Sequence, residues 1–150
     1  MKLTRLGIYI ADTYFDNHKT PVKLLVDTGG ASTIINWKGI SDLSLSRTSN
    51  EISPINNPVG AMGADNIAIQ LTHRLQIKDT VSFSSPEKGK QEHITIDGNK
   101  IIDVDIGELP IFDALRGEGV GGILGMDIFM LSSKVRMFLN GRSPEMIFYK

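Results

Sequence analysis

The residues best suited to chemistry stand together at Leu24-Leu25-Val26-Asp27-Thr28-Gly29-Gly30. An apolar run delivers one ionisable carboxyl into a turn built from a hydroxyl residue and two glycines. Burying a carboxylate is costly unless it is hydrogen-bonded or neutralised. Glycines let backbone approach closely and offer N–H groups, and such surroundings reset a carboxyl's protonation. Asp27 is therefore the candidate for acid–base chemistry. Read as a tripeptide alone, Asp27-Thr28-Gly29 is better explained as a turn-capping aspartate, since such triplets arise often by chance.

Other chemistries find less support. The chain has no cysteine, which excludes disulfides, thiolate metal sites and a cysteine nucleophile. His18, His73 and His93 are scattered and suggest no converging ligand set for a metal. Ser32 lies in no G-x-S-x-G elbow. Gly117-Glu118-Gly119-Val120-Gly121-Gly122 matches G-x-G-x-x-G in form. The chain after it is too short for the βαβ unit a dinucleotide site requires, so these glycines read as a loop entering a strand at Ile123. Asp103 and Asp105 alternate on one strand face, as solvent-exposed residues do. Asp127 opens a helix, where an acidic side chain suits the N-terminal dipole. Trp37 reads as core or rim packing.

Bulk properties narrow the class further. With 150 residues, 41% hydrophobic and 22% charged, the chain suits one globular domain over residues 1–150. A net charge of −1 without basic runs argues against nucleic acid or an anionic membrane as partner. No stretch is long enough to span a bilayer. No apolar segment of signal length follows Met1, so the default compartment is cytoplasmic unless the chain is cut from a longer parent.

The elements that must position Asp27 read as short strands between turns. Strands are expected at Gly7–Ile10, Val22–Val26, Thr33–Ile35 and Ile52–Ile55, with a loop at 16–21. Residues 37–50 are ambiguous and could hold a helical turn. Asn56-Asn57-Pro58 signals a turn, and Gly60–Gly63 a small flexible tip. Ile67, Ile69 and Leu71 alternate with polar or small neighbours, the period of a half-buried strand, and Leu75–Ile77 continues it. Residues 84–92 read as a polar loop. Ile94–Ile96 and Ile101–Ile106 suggest a hairpin around Asp97-Gly98-Asn99. A short helix is expected over Met126–Leu131, and a closing hairpin over Val135–Leu139 and Met146–Tyr149. The fold class is mainly β, a barrel or sandwich.

Two motifs taken together are more specific than either alone. Leu25-Val26-Asp27-Thr28-Gly29-Gly30 precedes the apolar Thr33-Ile34-Ile35, and Gly122-Ile123-Leu124-Gly125-Met126-Asp127 follows far downstream. The pairing resembles the retropepsin-like aspartic proteases, over roughly residues 7–149. Leu124-Gly125-Met126-Asp127 looks most like the bacterial and cellular branches. The resemblance implies a single-domain closed barrel with one short helix near the C-terminus. It also implies an aspartic endopeptidase that needs no metal or cofactor. Asp27 would be catalytic, Thr28 would brace it across a dimer axis, and Gly29 and Gly125 would support it. Gly30 and Ala31 would meet the substrate, with Gly60, Ala61, Met62 and Gly63 as a covering flap. Most relatives carry Ser, Thr or Asp where Ala31 stands.

Aspartate-catalysed peptide hydrolysis uses two carboxyls around one water, one accepting a proton and one donating. The chain has no second Asp-Thr/Ser-Gly, so the resemblance implies a homodimer acting on polypeptide, with two copies of Asp27 meeting by symmetry. The competing readings are a catalytically inactive module of the same fold that dimerises or binds peptide, and an unrelated β-barrel binding domain.

Overall fold

Apolar side chains on both faces of a strand demand cover on both faces, and β3 (Val22–Val26) is such a strand. Leu24 faces one cluster of buried residues and Leu25 another. The computed structural model describes residues 1–4, 7–62, 68–84, 91–95, 102–108, 115–139 and 144–149. In chain order, β1 is Lys2–Leu3, β2 Tyr9–Phe15, β4 Ile34–Ile35, α1 Trp37–Asp42, β5 Ile52–Met62, β6 Ala68–Ile77, β7 Thr80–Ser84 and β8 Gln91–Thr95. The remainder are β9 Ile102–Gly107, β10 Val120–Leu124, α2 Met126–Phe129, β11 Lys134–Phe138 and β12 Glu145–Tyr149.

Ten strands form one sheet in the order β5-β6-β9-β4-β10-β3-β2-β7-β8, with β1 added on β2. β11 and β12 pair separately. At the centre, β10 runs parallel to β3 on one side and antiparallel to β4 on the other. Ile35, Leu24, Leu124, Val104 and Ile106 fill the larger core with α1's Ile40 and α2's Ile128 and Phe129. The second cluster is smaller: Ile10, Leu25, Ile34, Leu71, Leu115 and Val120, with Ile8, Ile55 and Ile123 partly buried around it.

Several expectations change. The sheet is an open path rather than a closed barrel: its end strands β5 and β8 do not pair among the described residues. β8 pairs with β7, with Thr80 opposite Thr95, and not with β9 as a local hairpin. β9 inserts between β6 and β4, because Val104 and Ile106 are fully buried there. Residues 96–100, the turn of the expected hairpin, lie outside the described residues. The turn signal at Asn56–Pro58 is absorbed as a register shift between Pro54 and Val59 within β5, the signature of a bulge. The loop expected at 84–92 is narrowed from both sides by β7 and β8.

Among the described residues there are two α-helices rather than one. Asn36 caps α1, its side-chain oxygen accepting from Gly39 N at 2.8 Å, which satisfies one of the free donors of the first turn. α2 is a single turn, shorter than the expected span.

The centre of the sheet depends on one glycine for its closeness. A Cβ on Gly122 would collide with the carbonyl oxygen of Ile34 and lie 2.8 Å from Leu24 Cδ2. The Ile34 carbonyl is backbone of β4, which flanks β10, so it cannot withdraw without opening the sheet. Gly122→Ala is expected to cost about 1–3 kcal/mol, the usual penalty of overpacking, read as a lowered urea midpoint with unchanged m-value.

Candidate active site

Asp27 follows β3 directly, and its backbone N–H donates to Leu124 O at 3.0 Å. That bond extends the parallel pairing of β3 and β10 by one residue beyond Val26–Leu124. The chain then turns, Gly30 N donating to Asp27 O at 3.3 Å. The Asp27 carboxylate accepts from Gly29 N at 2.9 Å. A Cβ on Gly30 would stand 3.1 Å from Asp27 Oδ2, so the bare backbone leaves that oxygen accessible. Asp27 is half-buried, while Thr28, Gly29, Ala31 and Ser32 are exposed.

Behind the turn, two chain segments are laced together. Met126 N donates to Gly30 O at 2.8 Å and Asp127 N to Ala31 O at 3.2 Å. Thr33 N donates to both carboxylate oxygens of Asp127 at 2.9 Å. Thr33 Oγ1 donates to Asp127 Oδ1 at 2.6 Å and accepts from Gly125 N at 2.9 Å. Gly125 fits where nothing larger would: its Cβ would lie 2.5 Å from the carbonyl carbon and oxygen of Ser32. Asp27, Thr28, Gly29, Gly30, Ala31 and Gly125 are thus brought together as one unit.

The residues expected to cover the site belong to another part of the sheet. Gly60, Ala61 and Met62 end β5, opposite Gln70, Ile69 and Ala68 of β6. Gly63 lies outside the described residues. This hairpin reaches the Asp27 turn through β9, β4 and β10.

The sheet face beside Asp27 is apolar. Ile10, Leu25, Ile123 and Ile34 stand in one row across β2, β3, β10 and β4. Continuing the alternation of β3 places Asp27 on the same face as Leu25. Each member of this row, and Thr33, is legible as part of a separate apolar segment, but their alignment appears only once the strands pair. Asp127 stands in the first turn of α2, as its charge suits, and its carboxylate accepts from Ile128 N at 2.9 Å. Its contacts show a clasp on Thr33, which only knowledge of the 94-residue fold-back could reveal. Trp37 packs at the rim, with the Arg47 guanidinium 4.2 Å over its ring and His73 edge-on at 5.0 Å.

Asp105 departs from the exposed role expected for it. Its N–H donates to Thr33 O at 3.3 Å, and Arg74 Nε reaches its carboxylate at 3.4 Å. Burial raises its pKa above the ordinary carboxylate value, the Arg74 charge opposes that rise, and the Asp127 and Asp103 charges add to it. A raised folded-state pKa means that the folded chain holds this proton more tightly than the unfolded one. Asp105 therefore weakens stability as pH climbs from the ordinary aspartate value through the raised one, and is neutral below both. Asp105→Asn is expected to remove this decline, so the variant gains on the parent across that window in urea titrations at stepped pH.

The fold has solved counterparts. It is similar to the crystal structure of a retropepsin-like aspartic protease from Rickettsia conorii, with a TM-score of 0.54 and 16% sequence identity, covering 90% of this chain and 88% of that one. It also matches EIAV protease complexed with the inhibitor HBY-793, with a TM-score of 0.40 and 15% identity over 82% of this chain and 84% of that one. No protein-family model matches the sequence, and no curated protein does. With its Asp27 turn laced to the Gly125–Asp127 segment, the chain has the retropepsin-like fold.

Proposed function

We propose that this chain is one subunit of an aspartic endopeptidase, in which Asp27 and its symmetry mate hydrolyse a peptide bond. The observation that carries the reading is the Asp27 turn itself. It holds a half-buried carboxylate among exposed glycine backbone and is fixed from behind by Gly125–Asp127. Its single carboxyl is half of what the chemistry needs. Two carboxyls about 3 Å apart cannot both ionise readily, so the pair shares one proton. The ionised member takes a proton from water as that water attacks the carbonyl carbon. The protonated member donates to the carbonyl oxygen. The apparent pKa values belong to the pair.

Exposure on the outer side of the turn supports a second copy as the missing half. Thr28 is exposed, and Met130, just beyond α2, is 75% exposed. In this reading Thr28 braces its mate beneath the two aspartates. Gly29 and Gly30 present backbone to an extended peptide, which main-chain hydrogen bonds align. The arm ending at Gly60–Met62 covers it. Ile8, Ile55 and Ile123, partly buried beside the smaller cluster, wall the space for substrate side chains, so apolar residues are preferred near the cleaved bond. Ala31 adds no side-chain hydrogen bond. No metal or cofactor takes part.

Cleavage of a mixed peptide library across pH 4 to 7 tests the reading. The parent chain is expected to cut, with loss at both pH extremes. Asp27→Ala is expected to lose roughly 10⁴-fold or more, as removal of a group essential to catalysis does. Peptide binding without cleavage by the folded parent would replace this reading with a non-catalytic peptide-binding module.

A further inference from the structure

Asp127 and Thr33 take no direct part in the chemistry proposed above, yet they make the densest polar contact near the Asp27 turn. Thr33 is fully buried. Its N–H and hydroxyl both donate to the Asp127 carboxylate, the hydroxyl at 2.6 Å. With its proton so committed, Thr33 Oγ1 has only lone pairs to offer the other side, and there it accepts from Gly125 N. Gly125 follows Leu124, whose carbonyl accepts the Asp27 N–H. A carboxylate thus sets the direction of a hydroxyl, the hydroxyl holds a glycine N–H, and the adjoining carbonyl holds the backbone of Asp27. Hydrogen bonds to an ionised group are shorter and stronger than neutral ones, and the 2.6 Å contact is of that kind.

We infer that Asp127 is a positioning residue for Asp27, acting through Thr33 and Gly125, so that its carboxylate governs where the reactive carboxyl stands. The inference rests on the endopeptidase reading for its catalytic consequence, but not for its structural one. The helix-dipole role does not account for these contacts, because a dipole partner need not hold Thr33 by two donors. It also makes a distinct prediction: a neutral side chain of similar shape should keep part of the function, and loss of the hydroxyl alone should mimic loss of the carboxylate.

The test compares Asp127→Ala, Asp127→Asn, Thr33→Val and Thr33→Ser with the parent. Hydrogen exchange at single amides reads the placement directly and needs no cleavage. Asp127→Ala and Thr33→Val are each expected to lower protection of the Asp27 amide by about tenfold or more while the β6–β9 ladder keeps its own. Thr33→Ser, which retains the hydroxyl, should match the parent, and Asp127→Asn should fall between. Unchanged protection at Asp27, or an equal loss across the whole sheet, would overturn the inference. In the cleavage assay, scaled to titrated active sites, the first two variants should lose about 10–100-fold in kcat with KM little changed, as misplaced groups do. Their pH profile should narrow as the two aspartates draw apart and couple less. The double variant should be no worse than either single one, because both break one relay. An unaltered kcat and pH profile in Asp127→Ala would likewise overturn it. Failure of the endopeptidase reading is separate: it would show as no Asp27-dependent cleavage by the parent, with the exchange result still deciding the relay.

Discussion

The candidate site depends on one constraint: segments 94 positions apart must lie in hydrogen-bonding contact behind the Asp27 turn. Gly30–Thr33 on one side and Gly125–Asp127 on the other exchange backbone and side-chain hydrogen bonds. A net hydrogen bond is worth about 0.5–1.5 kcal/mol, and more when one partner is charged. The contact is therefore strong enough to place the turn, provided the chains can approach. Gly122 and Gly125 allow that approach, since a side chain at either would meet backbone. The parallel pairing of β3 with β10 follows, and with it a sheet whose central strands are covered on both faces.

From that constraint the character of the site follows. The strand alternation that buries Leu24 in the larger core turns Leu25 toward the smaller one, and Asp27 continues on the second face. A carboxyl at the end of an apolar row is poorly solvated yet not sealed, being half-buried with exposed glycine backbone beside it. The reading as half of a symmetric dyad adds only a second copy of the same turn, and symmetry then supplies unequal protonation through shared charge.

Much of this was legible in the sequence, and the reasons for the rest are physical. The apolar run before Asp27 announces a buried strand locally, and it lies where the structure has it. The glycines read as a loop entering a strand at Ile123 do not: β10 already begins at Val120, and Gly121 and Gly122 are strand residues, because the backbones of α1 and β4 pack too close for side chains there. Long-range pairing is not encoded in local pattern. β8 looked like the natural hairpin partner of β9, yet it pairs with β7, because burial of Val104 and Ile106 draws β9 between β6 and β4. Closure of the barrel depends on how two edges meet, which no strand's alternation records. Asn56-Asn57-Pro58 has turn chemistry, but β5 passes through it with a shift of register. Asp127 and Asp105 showed their charge in the sequence but not their partners, Thr33 and Arg74, which lie far away along the chain.

The central claim is that a working site takes Asp27 from two copies, and subunit mixing tests it most directly. Parent chain and Asp27→Asn chain would be unfolded together, refolded at varied ratios and fixed total concentration, and assayed on one peptide. If each site needs both aspartates, activity falls as the square of the parent fraction, to about a quarter at an equal mixture by random pairing. Activity that falls in simple proportion to the parent fraction would mean that one Asp27 is enough, and would contradict the account.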